Sequence, residues 1–193
     1  MQVKGKFVLL EPSEFNSWLN MQSTPRKIKL IQQHHTYIPA YKHFKGNNHF
    51  ELCESMERSH LERGFAEIGQ HFTTFPDGKI MICRDLDKIP AGIKGANSFG
   101  ICIENLGNFN EGGDTMNPAQ RATIISLTKA LLSKFNLSAN DQSVVYHHWY
   151  DLTLGKRITK EGTGSTKSCP GTAFFGGNTV ADFNSNLLPL LRN

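Results

Sequence analysis

Ile68-Gly69-Gln70-His71-Phe72-Thr73-Thr74-Phe75-Pro76-Asp77-Gly78-Lys79-Ile80-Met81-Ile82-Cys83 decides the architecture. Two stretches rich in β-formers flank Pro-Asp-Gly. Proline presets φ, aspartate hydrogen-bonds its own backbone and glycine supplies positive φ, so the three residues form a turn. Residues 68–75 and 79–83 are therefore expected to pair as an antiparallel hairpin. Upstream, Phe7–Leu10 reads as a short strand, and Ser13 as the cap of a short helix through Phe15, Trp18 and Leu19. Lys27 to Gln33 alternates apolar and polar residues, which predicts a strand buried on one face and running straight into His34-His35-Thr36. Asn47/Asn48 to Arg63 is a helix closed by Gly64.

Downstream, Ser98 to Asn105 reads as a central strand. Asn117-Pro118 opens a helix to about Phe135, because asparagine caps and proline has no N–H to lose at the first helical position. Its expected core face carries Ala122, Ile125, Ala130, Leu131 and Leu132. Ser143 to Tyr146 is a short strand ending at His147-His148, and Asn178 is expected to cap a last helix. Strands alternating irregularly with helices, with at least one hairpin, predict a single α/β domain with a central mixed β-sheet flanked by helices.

The length of 193 residues suits one well-buried domain. Apolar residues at 38% and charged residues at 20% exclude a disordered chain. A formal charge of +4, without a block of like charges, favours a polyanionic surface only weakly. No apolar run is long enough to span a membrane, and the start has only Phe7-Val8-Leu9-Leu10 where a secretory signal needs a longer apolar region. The expectation is cytoplasmic synthesis without a signal peptide and without membrane insertion. Cys53, Cys83, Cys102 and Cys169 have irregular spacing and no C-x-x-C pair, so three read as buried small hydrophobes and one as a special case.

Three features carry potential chemistry: His34-His35-Thr36, His147-His148, and Lys167-Ser168-Cys169-Pro170-Gly171. Each lies at a strand end or in the following loop, where groups on a rigid sheet can converge. Zinc takes imidazole nitrogen and thiolate sulfur, and a catalytic site leaves one position to water. Two histidines and a cysteine meet that requirement, although each signal alone is more often a packing or surface feature.

Together these pieces resemble the zinc amidase family that includes N-acetylmuramoyl-L-alanine amidases, T7-type phage lysozyme and the peptidoglycan recognition proteins. The resemblance runs from about Lys29 to Phe175. It rests on five motifs in order: a strand into His34-His35-Thr36, Ile68 to Phe72 with Pro76-Asp77-Gly78-Lys79, Asn97-Ser98-Phe99-Gly100-Ile101, a strand into His147, and Lys167 to Gly171. The resemblance implies that His34, His147 and Cys169 ligate Zn2+, with His35 and His148 as the alternatives within each pair, and that Lys167 stabilises an oxyanion. Relatives take their general base from a hairpin tyrosine, matched here by Gln70, or from a glutamate two residues after Gly100, matched here by Cys102. Glu104 faces the same way as residue 102 in a strand and is the expected base, with Glu67 in reserve. Gln70 and His71 are expected to bind substrate.

The implied reaction cuts the amide between N-acetylmuramic acid and L-alanine in bacterial peptidoglycan. Residues 1–193 would form one catalytic domain, with about 1–26 an N-terminal extension packed on it. The chain is expected to be monomeric and to act on the cell wall after release, as a phage-type endolysin does. Fusion to a wall-binding domain in a longer protein is left open. Two rivals stand beside this reading. One is a peptidoglycan-binding module without catalysis. The other is a metal-dependent nuclease, which would need a basic and aromatic groove, whereas Lys156, Arg157 and Lys160 are the only dense basic group nearby. No nucleic-acid partner is expected.

Overall fold

The computed structural model describes residues 1–160 and 162–192. Its centre is a seven-stranded sheet in the order β1-β2-β5-β4-β6-β3-β7. The strands are β1 (Gln2–Lys4), β2 (Phe7–Leu10), β3 (Leu30–His35), β4 (Phe72–Thr74), β5 (Ile80–Ile82), β6 (Gly100–Asn105) and β7 (Val144–Tyr146). The half containing β1, β2, β5 and β4 is antiparallel, while β4, β6, β3 and β7 run parallel to their neighbours. The expected mixed sheet is thus present, and the hairpin of β4 and β5 marks its change of direction. Among the described residues no helix is long and apolar enough to cross a membrane.

Strand alternation divides the core. Leu10, Phe72, Ile80, Ile82, Ile101 and Ile103 face one layer, with α1 (Phe15–Asn20), α3 (Pro118–Lys134) and the last helical residues. Phe7, Leu9, Met81 and Cys83 face the other, against Leu52, Cys53 and Met56 of α2 (His49–Glu62). Gln32, His34, Cys102 and Glu104 share that second face by the same alternation. α2 packs on β2, so it covers the antiparallel half and leaves the parallel half for a cleft.

Several local expectations change. β3 is buried along its whole length rather than on one face, because the sheet is covered on both sides there. Glu14, not Ser13, closes the first turn by accepting the N–H of Glu11 at 2.9 Å. Within residues 1–26, two strands join the sheet: β2 pairs with β5, and exposed β1 forms the edge. Asn117 caps α3 as expected, accepting from Ala119 N–H at 2.9 Å. However, α3 buries Gln120, Thr123, Ile124, Leu127 and Thr128 along with Leu131 and Leu132, while Ala122 is exposed. Polar residues occupy this face because they feed a buried network described below. Thr179, not Asn178, caps the last helix, accepting from Asp182 N–H at 3.1 Å. That helical stretch runs through α4 (Val180–Asp182), a π-turn (Phe183–Leu187) and α5 (Leu188–Arg192).

Candidate metal centre and active-site cleft

His34 stands near the end of β3, and His147 follows directly on β7, the next strand in the sheet. Parallel pairing therefore delivers both imidazoles to one edge. Cys169 arrives on a loop that is clipped from two sides. His148 N–H donates to Cys169 O at 2.7 Å, and Asn178 Nδ2 donates to Ser168 O at 2.8 Å. His34 Nδ1 lies 3.2 Å from His147 Nδ1 and 3.5 Å from Cys169 Sγ. All three ligand atoms lie within 4.8 Å of one another, and all three residues are buried.

The donor set fits a zinc ion. Two imidazoles and one thiolate are borderline-soft ligands, and three protein ligands leave a position open. Burial holds the His147 ring at about 4, with Lys167 adding to the effect, and pushes the Cys169 thiol up. Both imidazoles are thereby kept neutral and able to donate electron pairs, and a bound cation would draw the thiol proton off.

The remaining histidines of each pair hold backbone. His35 Nδ1 accepts the N–H of Phe109 at 3.1 Å, and His148 Nδ1 donates to Lys167 O at 2.7 Å.

A cleft of about 730 Å³ opens over the three donors. Glu104 lines it and pairs with His34 in the register of β6 and β3, its Oε1 4.0 Å from His34 Nδ1. Its Oε2 is buried without a hydrogen-bond partner. Burial pushes this carboxyl up to about 8, against the opposing pull of Lys167 and Arg63. Lys167 is exposed on the cleft wall. Cys102, at the position where the resemblance places a glutamate, is instead buried beside Gln32.

Gln70 lines the cleft, donating through Nε2 to Thr73 Oγ1 at 3.0 Å while its buried Oε1 has no partner. His71 is not brought to the site, contrary to expectation. It is 0% exposed, its Nδ1 accepts from Cys102 N–H at 2.9 Å and its Nε2 faces Lys88 O at 3.1 Å. Its two ring nitrogens are taken up by the backbone of residues 102 and 88, which holds the ring in the interior instead of the cleft. Glu67 also lies elsewhere, paired with Lys6 at 3.2 Å and Lys88 at 3.4 Å. Lys156, Arg157 and Lys160 are not among the cleft-lining residues.

The sequence reading missed the opposite wall, which α2 and the following loop supply: Ser55, Met56, Ser59, His60, Arg63 and Phe65. Arg63 lies over the Phe65 ring at 5.0 Å, and His60 stacks on the same ring with centroids 5.1 Å apart. A helix with polar residues on the cleft side carries no motif that separates it from an ordinary solvated face.

Two histidines following parallel strands and a loop cysteine thus form a donor set that could hold a metal ion, with a carboxyl and an ammonium beside it. The chain belongs to the N-acetylmuramoyl-L-alanine amidase family (Amidase_2), whose model matches residues 24–172. An N-acetylmuramoyl-L-alanine amidase of Mus musculus is 27% identical over 159 residues, covering 79% of this chain and 26% of that protein. The endolysin of Escherichia phage T7 is 33% identical over 82 residues, 39% of this chain and 52% of the endolysin. The chain therefore spans about a quarter and about half of these two relatives. Among solved structures, Drosophila PGRP-LB matches with a TM-score of 0.61 at 20% identity, covering 85% of this chain and 84% of that one. The amidase LysC from Clostridium intestinale matches with a TM-score of 0.54 at 23% identity, covering 77% and 80%. Both likenesses concern the fold, and they agree with the family resemblance read from the motifs.

Proposed function

We propose that this chain is a zinc-dependent amidase that hydrolyses the bond between N-acetylmuramic acid and L-alanine in bacterial peptidoglycan. The observation that carries the reading is the meeting of His34 Nδ1, His147 Nδ1 and Cys169 Sγ beside an unpartnered Glu104 carboxyl oxygen. A zinc ion held by those three residues would supply Lewis-acid polarisation of the scissile carbonyl and acidify water.

Glu104, ionised once a cation joins Lys167 and Arg63 beside it, takes a proton from the water that attacks the amide carbon. Lys167 reaches from the cleft wall to offset the negative charge that grows on the carbonyl oxygen. As the carbon–nitrogen bond breaks, Glu104 returns the proton to the departing amine of L-alanine. Gln70 offers Oε1 as an acceptor for a peptide N–H of the substrate. The chain works as one catalytic unit and as a monomer, lysing walls after release from the cytoplasm, with or without a wall-binding domain in a longer protein.

Incubation with purified cell wall tests the reading. New amino-terminal alanine without new reducing sugar ends is expected, and a chelator should abolish its release. Reducing ends, or tight binding without any cleavage, would replace the amidase by a glycosidase or by a binding module.

A further inference from the structure

Gln32 is fully buried on the cleft face of β3, two residues before His34. One end of its side-chain amide meets a main-chain donor, and the other meets the Asn97 side chain. Ile93 N–H, which can only donate, meets one end at 3.0 Å. That atom is therefore the oxygen, Oε1. His34 Nε2 lies 3.3 Å from the same oxygen, so Nε2 must carry the proton. The tautomer leaves the lone pair on Nδ1, the atom that faces His147 and Cys169.

The other end agrees. Gly92 N–H donates to Asn97 Oδ1 at 3.0 Å, which marks that atom as an oxygen, and Gln32 Nε2 approaches it at 3.4 Å as a donor. The space is built to fit. A Cβ on Gly92 would come within 2.2 Å of Gln32 Oε1 and 3.1 Å of His34 Nε2, and a Cβ on Gly100 within 2.4 Å of Gln32 Nε2. Two glycines thus clasp the carboxamide, and any side chain at either would displace it.

We infer that Gln32 is a positioning residue for the metal centre: it fixes His34 as the Nε2–H tautomer, aims Nδ1 at the ion, and ties this ligand to the loop of residues 91–97, whose first two residues line the cleft. Ala91 and Gly92 line the cleft, so the same carboxamide couples the wall seen by substrate to the first ligand. The inference rests on the zinc reading for the identity of the ion, but not for the tautomer.

The test has two readouts. Nitrogen-15 spectra of the imidazoles in the zinc-stripped protein above pH 7 should show His34 protonated on Nε2 alone. Gln32→Leu should mix the tautomers and weaken zinc binding, measured against a chromogenic chelator, by about 10- to 100-fold. Gln32→Glu keeps an acceptor against Nε2–H and should recover at least about tenfold of that loss. A wild-type His34 protonated on Nδ1, which needs no variant to detect, would overturn the inference. So would a Gln32→Leu protein with wild-type tautomer and zinc affinity. A wild-type protein that binds no zinc would instead sink the proposed function, while the tautomer would still be read.

Discussion

His34 and Glu104 stand opposite each other on adjacent parallel strands, with Nδ1 and Oε1 4.0 Å apart. The register of β3 and β6 alone brings the carboxyl to the His34 nitrogen that faces His147 and Cys169. No loop has to move to form this pair.

Removing the carboxyl charge separates metal binding from catalysis. Glu104→Gln keeps the shape and is expected to retain bound zinc while losing about 10²- to 10⁴-fold in kcat. Zinc content and amine release from cell wall, measured on the same sample, check this. An unchanged rate would remove Glu104 from the mechanism.

Lys167 makes the complementary case. Its ammonium lies on the exposed wall, so Lys167→Ala should fold and bind zinc normally. The loss of one charged donor should lower kcat by about 10²- to 10³-fold. A change confined to KM would assign Lys167 to substrate binding instead.

His71 predicts acid sensitivity. Burial, aided by Arg26 and Arg84, holds its pKa at about 3, whereas an unfolded histidine titrates near 6.5. Between those values the unfolded chain binds the proton and the folded chain does not, so stability falls as pH drops through that window. The loss approaches about 1.4 kcal/mol per pH unit from this group. Urea midpoints from pH 7 to pH 4 should fall more steeply for wild type than for His71→Gln. Parallel curves would contradict the assignment.

The buried network behind the site offers a stability test. Asn105 Nδ2 donates to Gln33 Oε1 at 3.0 Å and to His34 O at 2.7 Å, and Thr74 Oγ1 donates to Asn105 Oδ1 at 2.8 Å. Gln33 continues to Thr128 of α3 at 2.9 Å. Asn105→Ala strands at least two buried groups at about 1–3 kcal/mol each. Denaturant titration should show a loss of about 2–5 kcal/mol, and a loss near zero would mean that the network relaxes.

Local chemistry made much of this fold legible in the sequence. Asn117-Pro118 and Pro76-Asp77-Gly78 act within a few residues of themselves, and the structure places the α3 cap and the β4–β5 turn there. The donors His34, His147 and Cys169 were visible because their residue types and ordered motifs coincide. Gln32 was not, since a glutamine in an alternating strand reads as solvent-facing until β6 and the loop at 91–97 bury it. Asn178 was read as a local cap, yet its side chain reaches back ten residues to the cysteine loop. His71 was misread because its partners at Cys102 and Lys88 are set by tertiary packing. What escaped was long-range pairing of polar side chains, which leaves no periodicity.

One zinc ion on His34, His147 and Cys169 is expected to support amide cleavage. Titrating chelator-stripped protein with zinc while following amino-terminal alanine released from cell wall tests it most directly. The account predicts no release at the start, a rise that breaks at about one zinc per chain, and no rise in Cys169→Ala. Full release from the stripped protein, or zinc uptake to one equivalent without alanine release, would contradict it.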